Sequence, residues 1–309
     1  MEFVRLNENK EEGLDYQKLK PQLLNLFEAT ANKLEREWPL RYSKLDSART
    51  IFTMLIRIAT NTYGTIAYIC ADTPKDPFRK PEFAISSAPL VRSLFEELIM
   101  ILFLLEDVPG HLEFLFKTGY AEKREELDHV QKYHGTLSEW QPYIDALQAR
   151  IVHEETELHL TKHEIKFPQN IGKWPTPGRA KQRLEKRTPP PAIIPFIEYI
   201  NAWMYRYLSG QTHLSLQGIV HRGMHFSTDT AKESLGIDWE AKLETHLQSY
   251  RMKSVYAAMT IMLAIVSEIE IHFGYGLNAR CRYLWTFVGK HSDITKDFWD
   301  TRYEKAIPE

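Results

Sequence analysis

Tyr205, Ser209 and His213 stand at i, i+4 and i+8 in the segment YRYLSGQTH. On a helix that persists through Gly210, they form a polar line that rotates ~40° per step. Arg206 precedes His213 by seven residues, which brings the two within ~20° of one face. The spacing thus gathers hydroxyls, a guanidinium and an imidazole. An imidazole moves protons near neutral pH. A guanidinium holds a phosphate through paired donors and stabilises charge in the transition state. Together these groups suit phosphodiester cleavage without a metal. The same spacing also suits a histidine that caps or hydrogen-bonds within a helical bundle.

A second polar centre lies in Arg92-Ser93-Leu94-Phe95-Glu96-Glu97. Arg92 and Glu96 are four apart and share a helix face. Phe103 continues that face three turns later, which predicts a half-buried pair. A buried charge is tolerated when it is paired, so the pair either locks the interior or serves a site.

The segment 167–192 contains six prolines and two glycines and reads as a loop with at most a short helix. Within it, Lys173, Arg179, Lys181, Arg183, Lys186 and Arg187 face the single acid Glu185. This is the clearest local charge imbalance in the chain. It is either a solvated connector or a phosphate-contacting arm on which Trp174 stacks a base. Lys173, Trp174, Arg179, Lys181, Arg183, His221 and Arg222 are the candidate RNA contacts.

Other chemistries have less behind them. His213, His221 and His225 are close in sequence, and His159 and His163 are four apart, a spacing that can ligate zinc. There is no H-E-x-x-H, and the only E-x-x-H is Glu126 to His129, in a strongly charged stretch. No metal and no cofactor is expected. No phosphate-cradling glycine loop, nucleophile elbow or paired-cysteine motif is found. Cys70 and Cys281 are the only cysteines, which excludes a disulfide scaffold and a four-cysteine zinc site and suits a reducing compartment.

The elements that position these groups read as helices. With 43% hydrophobic and 26% charged residues over 309 positions, the chain is long and apolar enough for a substantial core. Its 39 Lys and Arg against 41 Asp and Glu give a net charge of −2, so nucleic-acid affinity must come from a local patch. Leu19, Leu23, Leu26, Phe27, Thr30 and Leu34 mark one amphipathic helix. Ile51, Leu55, Ile58, Thr62, Ile66 and Ile69 mark a second. A third runs from about 82 to 106, and its second half, LIMILFLL, is apolar on every side and thus buried on most faces. Pro109 suits the first turn of the next helix. A charged helix follows over roughly 138–163, with Ser138 as N-cap. Helical pattern resumes from Pro195 to about 208, and a long helix covers about 238–273. An aromatic tail, RYLWTFV, leads to a terminal helix near Asp297. No period-two strand pattern appears. The longest apolar runs fall short of the ~20 residues that span a bilayer, and the N-terminus lacks an apolar signal core. The expectation is an all-α multi-helix bundle, a single domain over 1–309 with its core bundle at about 45–275, cytoplasmic and without a membrane.

The succession RSLFEELIMILFLLED, GYAEKREELDHVQKY and YRYLSGQTHLS resembles a bacterial family of uncharacterised all-helical proteins with R-S-L-x-E and Y-x3-S-x3-H motifs. The resemblance covers about residues 45–225. It implies that Arg92, Glu96, Tyr205, Ser209 and His213 form the polar centre. The late motif also resembles the R-x4–6-H signature of HEPN domains (higher eukaryotes and prokaryotes nucleotide-binding). These are helical bundles, often dimeric, and many are metal-independent ribonucleases of toxin–antitoxin and antiviral systems. The residue after the arginine, usually polar there, is Tyr207 here, so either Arg206 or Arg92 supplies the charge. The HEPN resemblance implies an RNA substrate, a homodimer and a partner protein in a defence or toxin–antitoxin system. Two alternatives stand beside this reading: a non-enzymatic helical adaptor or sensor, and a metal-dependent hydrolase.

Overall fold

The computed structural model describes residues 16–39, 42, 46–70, 84, 86–202, 239–290 and 293–307. The fold is an all-α, multi-helix bundle, and no strand occurs among the described residues. In chain order the main helices are α1 (Tyr16–Arg36), α2 (Asp46–Cys70), α3 (Ser87–Glu106), α4 (Val108–His134), α5 (Gln141–Glu157), α6 (Lys162–Lys166), α7 (Pro177–Glu185), α8 (Ile194–Ile200), α9 (Trp239–Phe273), α10 (Asn278–Gly289) and α11 (Asp293–Phe298). A π-helical turn, Trp299–Tyr303, follows α11. Packing groups the chain into two compact units, Met1–Leu102 with Lys181–Glu309, and Phe103–Ala180.

In the first unit α1 packs on α2, and α2 packs on α9. The stripe predicted for α1 is its core face: Leu19, Leu23, Leu26, Phe27, Thr30 and Leu34 are all buried. Thr30 satisfies its hydroxyl by donating to the Leu26 carbonyl at 2.9 Å. For α2 the helix is as predicted, but of the predicted stripe only Ile66 is buried. Phe52, Ile56, Ala59, Tyr63, Ile66 and Ala67 are buried, whereas Ile51, Leu55, Thr62 and Ile69 are half-exposed and Ile58 is exposed. Both stripes of α2 step by three and four, so periodicity alone does not choose between them. The choice is made by neighbours. Phe27 meets Tyr63 edge-on at 5.2 Å, and Phe52 meets Phe273 at 5.5 Å.

Helix α9 is the central element of this unit. Tyr250–Phe273 is long and apolar enough, by length and composition, to cross a membrane, with a stretch of 18 residues of mean hydropathy 1.6. In the fold every residue from Ser254 to Glu270 is buried, so packing accounts for its apolarity. Its polar groups are paired: Thr260 donates to the Tyr256 carbonyl at 2.6 Å, and Ser267 accepts from the Trp285 indole at 2.8 Å. Glu270 ends the helix by accepting the backbone N–H groups of Tyr275, Gly276 and Leu277 at 3.0, 2.8 and 3.0 Å. Gly274 and Gly276 take φ of 73° and 77° in that turn, a region open to glycine. The aromatic tail RYLWTFV lies within α10 and does not run on as a tail. Cys281, Leu284, Trp285 and Val288 recur at helical steps and are buried together.

The second unit is built on a hairpin of α4 and α5. As expected, the end of α3 is buried from Leu98 to Leu105, apart from the half-exposed Met100. Asp107 caps α4 by accepting the Gly110 N–H at 3.2 Å, and Pro109 sits in the first turn. Tyr120, Leu127, Ile144, Leu147 and Ile151 form the core of the hairpin.

The helix predicted over 138–163 is divided. Ser138–Trp140 is a 3-10 turn, α5 starts at Gln141 without a side-chain cap, and it ends at Glu157. His159 ends it in the left-handed region with φ 48°. Its N–H bonds the Thr156 carbonyl and the Leu160 N–H bonds the Glu155 carbonyl, the paired bonds of a Schellman motif. Thr161 and Glu164 then form a reciprocal capping box that opens α6. A non-glycine residue in this conformation is strained. His159→Gly is therefore expected to stabilise the protein by roughly 0.5–1 kcal/mol, the gain in backbone freedom less the entropy glycine adds to the unfolded chain. An unchanged or lower urea midpoint would refute this.

Within 167–192 the structure has a short 3-10 turn, Pro168–Ile171, and the nine-residue α7. The prolines border α7 and do not interrupt it, and Pro177 occupies its first position, where no N–H is needed. Ala180 and Leu184, four apart, are buried and anchor it.

Candidate functional site

Arg92 and Glu96 form the predicted pair on α3, with the Arg92 Nε donating to Glu96 Oε1 at 3.0 Å. Their side chains are 27% and 31% exposed, so the pair is half-buried. Helix geometry alone brings them together, since one turn separates them. Ala88, Ile99 and Phe103, which share that side of α3, are buried, and so are Val91, Leu94, Phe95 and Leu98 around it. The guanidinium is thus held by Glu96 in a half-buried position on a helix that packing holds in place.

Glu97 ends that polar stretch, but its spacing gave it no role in the sequence. Its Oε2 is buried and has no hydrogen-bond partner among the described residues. Burial pushes its carboxyl up from 4.5 to about 7. A glutamate directly before the apolar run LIMILFLL was the available signal, since such a position favours desolvation of a carboxylate. Glu97 therefore holds a proton that exchanges near neutral pH. Its raised value makes stability fall as pH rises from about 4.5 to 7, where the folded state binds more protons than the unfolded state. Above that window the loss is complete. Glu97→Gln removes this slope and raises the melting temperature at pH 8 relative to wild type. A variant with the same pH slope as wild type contradicts the assignment.

Tyr205, Arg206, Ser209, His213, His221 and Arg222 lie outside the described residues. Of the predicted basic contacts, Lys173 is exposed and shares a cleft of about 470 Å³ with Arg124, Glu122, Glu125 and Asp128. Trp174 is half-buried, edge-on to Phe103 at 5.6 Å and tilted against Phe114 at 5.7 Å. Its ring partners thus include residues of its own unit. Arg179 and Arg183 are exposed on α7, four residues apart on one helix face. Lys181 is half-buried and bonded to Glu185.

Other charged groups serve the scaffold. Lys117 bridges Glu113 at 3.0 Å and Glu164 at 2.8 Å. Its ammonium and the Thr161 cap hold the Glu164 carboxyl down at about 2. Lys123 bonds Glu154 at 2.6 Å, and the Tyr120 hydroxyl donates to Glu155 at 2.9 Å across the α4–α5 seam. Burial pushes the Cys281 thiol up to about 12, and Cys70 is also buried, so neither is set up as a nucleophile. Among the described residues no three His, Cys, Asp or Glu side chains are placed to hold a metal ion. His159 and His163, four apart in sequence, are separated by the end of α5 and the start of α6, so they share no helix face.

In comparison with known proteins, no family model matches this chain, no curated protein is significantly similar to it, and no solved structure matches it. The geometry of its own residues is therefore what a functional reading has to stand on.

Proposed function

We propose that this protein is a HEPN-like, metal-independent RNA endonuclease acting in defence or growth arrest. What supports the reading is Arg92, a half-buried guanidinium that Glu96 holds at 3.0 Å, a group of the kind that binds phosphate. In the mechanism His213 takes the proton from a ribose 2′-hydroxyl. The oxygen attacks the adjacent phosphorus, and the bond from phosphorus to the 5′-oxygen breaks. The leaving oxygen takes the proton back from the imidazolium, so that charge and atoms balance. Arg92 or Arg206 stabilises the pentacoordinate phosphate, and Ser209 and Tyr205 position the phosphate or the imidazole. Arg179, Lys181, Arg183 and Lys173, with Trp174, His221 and Arg222, supply contacts to the RNA backbone and bases.

The test is cleavage of total RNA in EDTA by wild type beside His213→Ala and Arg92→Ala. Cleavage by wild type and its loss in both variants, with folding retained, is the expected result. Undiminished cleavage by His213→Ala removes that residue from the mechanism. An uncut RNA pool with wild type, together with a lowered melting temperature in His213→Ala, favours instead a non-enzymatic helical module in which the histidine holds the core.

A further inference from the structure

Within the first unit α1 also packs on α10. Where the last turns of α1 meet the first turn of α10, they leave an open cleft of about 410 Å³. Asn32, Lys33, Arg36 and Glu37 line it from α1, and Gly276 and Arg280 from the turn and helix that follow α9. Asn32 and Arg36 are four residues apart and Lys33 and Arg36 three, so these groups share one side of α1.

Uncommitted positive charge sets this cleft apart. Other arginines have partners: Arg57 bonds Glu35, Arg92 bonds Glu96, Arg282 bonds the Glu304 and Ile307 carbonyls, and Arg302 bonds Glu268. Arg36 and Arg280 make no side-chain hydrogen bond, ion pair or ring contact among the described residues. The acid on the cleft, Glu37, is taken, since both its oxygens accept from Lys33, at 2.6 and 2.8 Å. Glu270, which is bonded to the adjoining turn, is spent on three backbone N–H groups. Lys33 and Glu37 cancel, and the two guanidiniums leave the lining positive.

The fold alone gives half a reason for this. Arg36 stands in the last turn of α1, where a cation offsets the helix dipole. Arg280 stands in the first turn of α10, where the same dipole disfavours a cation, and α10 has no side-chain cap there. Both arginines are exposed, so neither position is set by packing. An anion in the cleft resolves the conflict, because it sits beside both guanidiniums at the positive end of a helix.

We infer that this cleft binds the terminal phosphate of a small molecule, a dianion held by Arg36 and Arg280. Each guanidinium offers paired donors to the phosphate oxygens, and the Asn32 amide stands on the same side of α1 as Arg36. The volume lies in the range of small-molecule sites. An internal phosphodiester carries one charge and matches the pair less well. The inference does not rest on the nuclease reading: ligand titration tests one and RNA cleavage the other.

Isothermal titration calorimetry on the full chain, at pH 7.5 in low salt free of phosphate and sulfate, keeps the probes dianionic. Inorganic phosphate and glycerol 3-phosphate are the probes, and the tighter of the two tells free phosphate from a monoester. Saturable binding with Kd of about 1 mM or tighter is expected for at least one. Arg36→Gln and Arg280→Gln are each expected to weaken it about tenfold or more, and the double variant to abolish it, with an unchanged helical circular dichroism signal. Lys305→Gln, an exposed cation that does not line the cleft, is expected to bind as wild type. No saturable heat up to about 10 mM of either probe overturns the inference. So does a double variant that binds like wild type, or a Lys305→Gln that loses as much as Arg280→Gln. A dinucleoside monophosphate, with its single internal diester, that binds as tightly as glycerol 3-phosphate overturns it in favour of a contact to the RNA backbone.

Discussion

Arg302→Ala is expected to destabilise the protein by about 3–5 kcal/mol, among the largest effects of any single charge removal in this fold. Arg302 donates from Nε and Nη2 to the two carboxylate oxygens of Glu268 at 3.1 and 2.9 Å. The Glu268 side chain is 8% exposed, and that of Arg302 20%. The fully buried Tyr303 donates to the same carboxylate at 3.1 Å. Without the guanidinium, Glu268 is left as a buried anion with little compensation. Arg302→Lys recovers only part of the loss, because an ammonium cannot make the paired contact. Replacing both partners, Arg302→Met with Glu268→Leu, is expected to recover most of it, since no unpaired charge then remains. Urea unfolding midpoints of the four proteins measure this. A single variant within 1 kcal/mol of wild type would show that the pair contributes little.

The second large effect concerns activity. His213→Ala is expected to lower RNA cleavage in EDTA by about 10²–10⁴, the range for removing a positioned proton-transfer group. Arg92→Ala is expected to fall by a similar factor if Arg92 grips the phosphate in the transition state, and Arg92→Lys to recover part, as the charge returns without the paired donors. Glu96→Gln separates positioning from scaffold: it releases the guanidinium while keeping the side chain's volume. A fall in kcat with an unchanged melting temperature supports a positioning role, whereas equal losses of stability and activity leave Glu96 a structural partner only. A nuclease rate that is the same in wild type and His213→Ala ends the mechanism.

How much of this was legible beforehand varies by element. The all-α class was, because helix formation is written in local spacing. The α1 stripe, the apolar end of α3, the Pro109 start of α4 and the span of α9 each follow from residues within a few turns. The Arg92–Glu96 pair was legible for the same reason: helical rise alone sets two side chains four residues apart within reach. The division of the predicted 138–163 helix was not. It turns on a histidine in a left-handed conformation, which residues other than glycine adopt only uncommonly, followed by a Thr161–Glu164 capping box that starts a new helix. The nine-residue α7 was hidden by the prolines at its borders, which read as loop signals until Ala180 and Leu184 have a surface to bury against.

The amino-acid sequence by itself determined that this chain is helical, where most of its helices run, and that a guanidinium and a carboxylate pair on α3. Those properties depend on neighbours within one or two turns. Only the tertiary structure decided which face of α2 is buried, that the Glu97 carboxyl is dehydrated and holds its proton up to about pH 7, and that Arg302 closes on Glu268 from 34 residues away. These outcomes arise when distant segments exclude water from a shared surface, and the energy of doing so is assigned by contacts that no local pattern encodes.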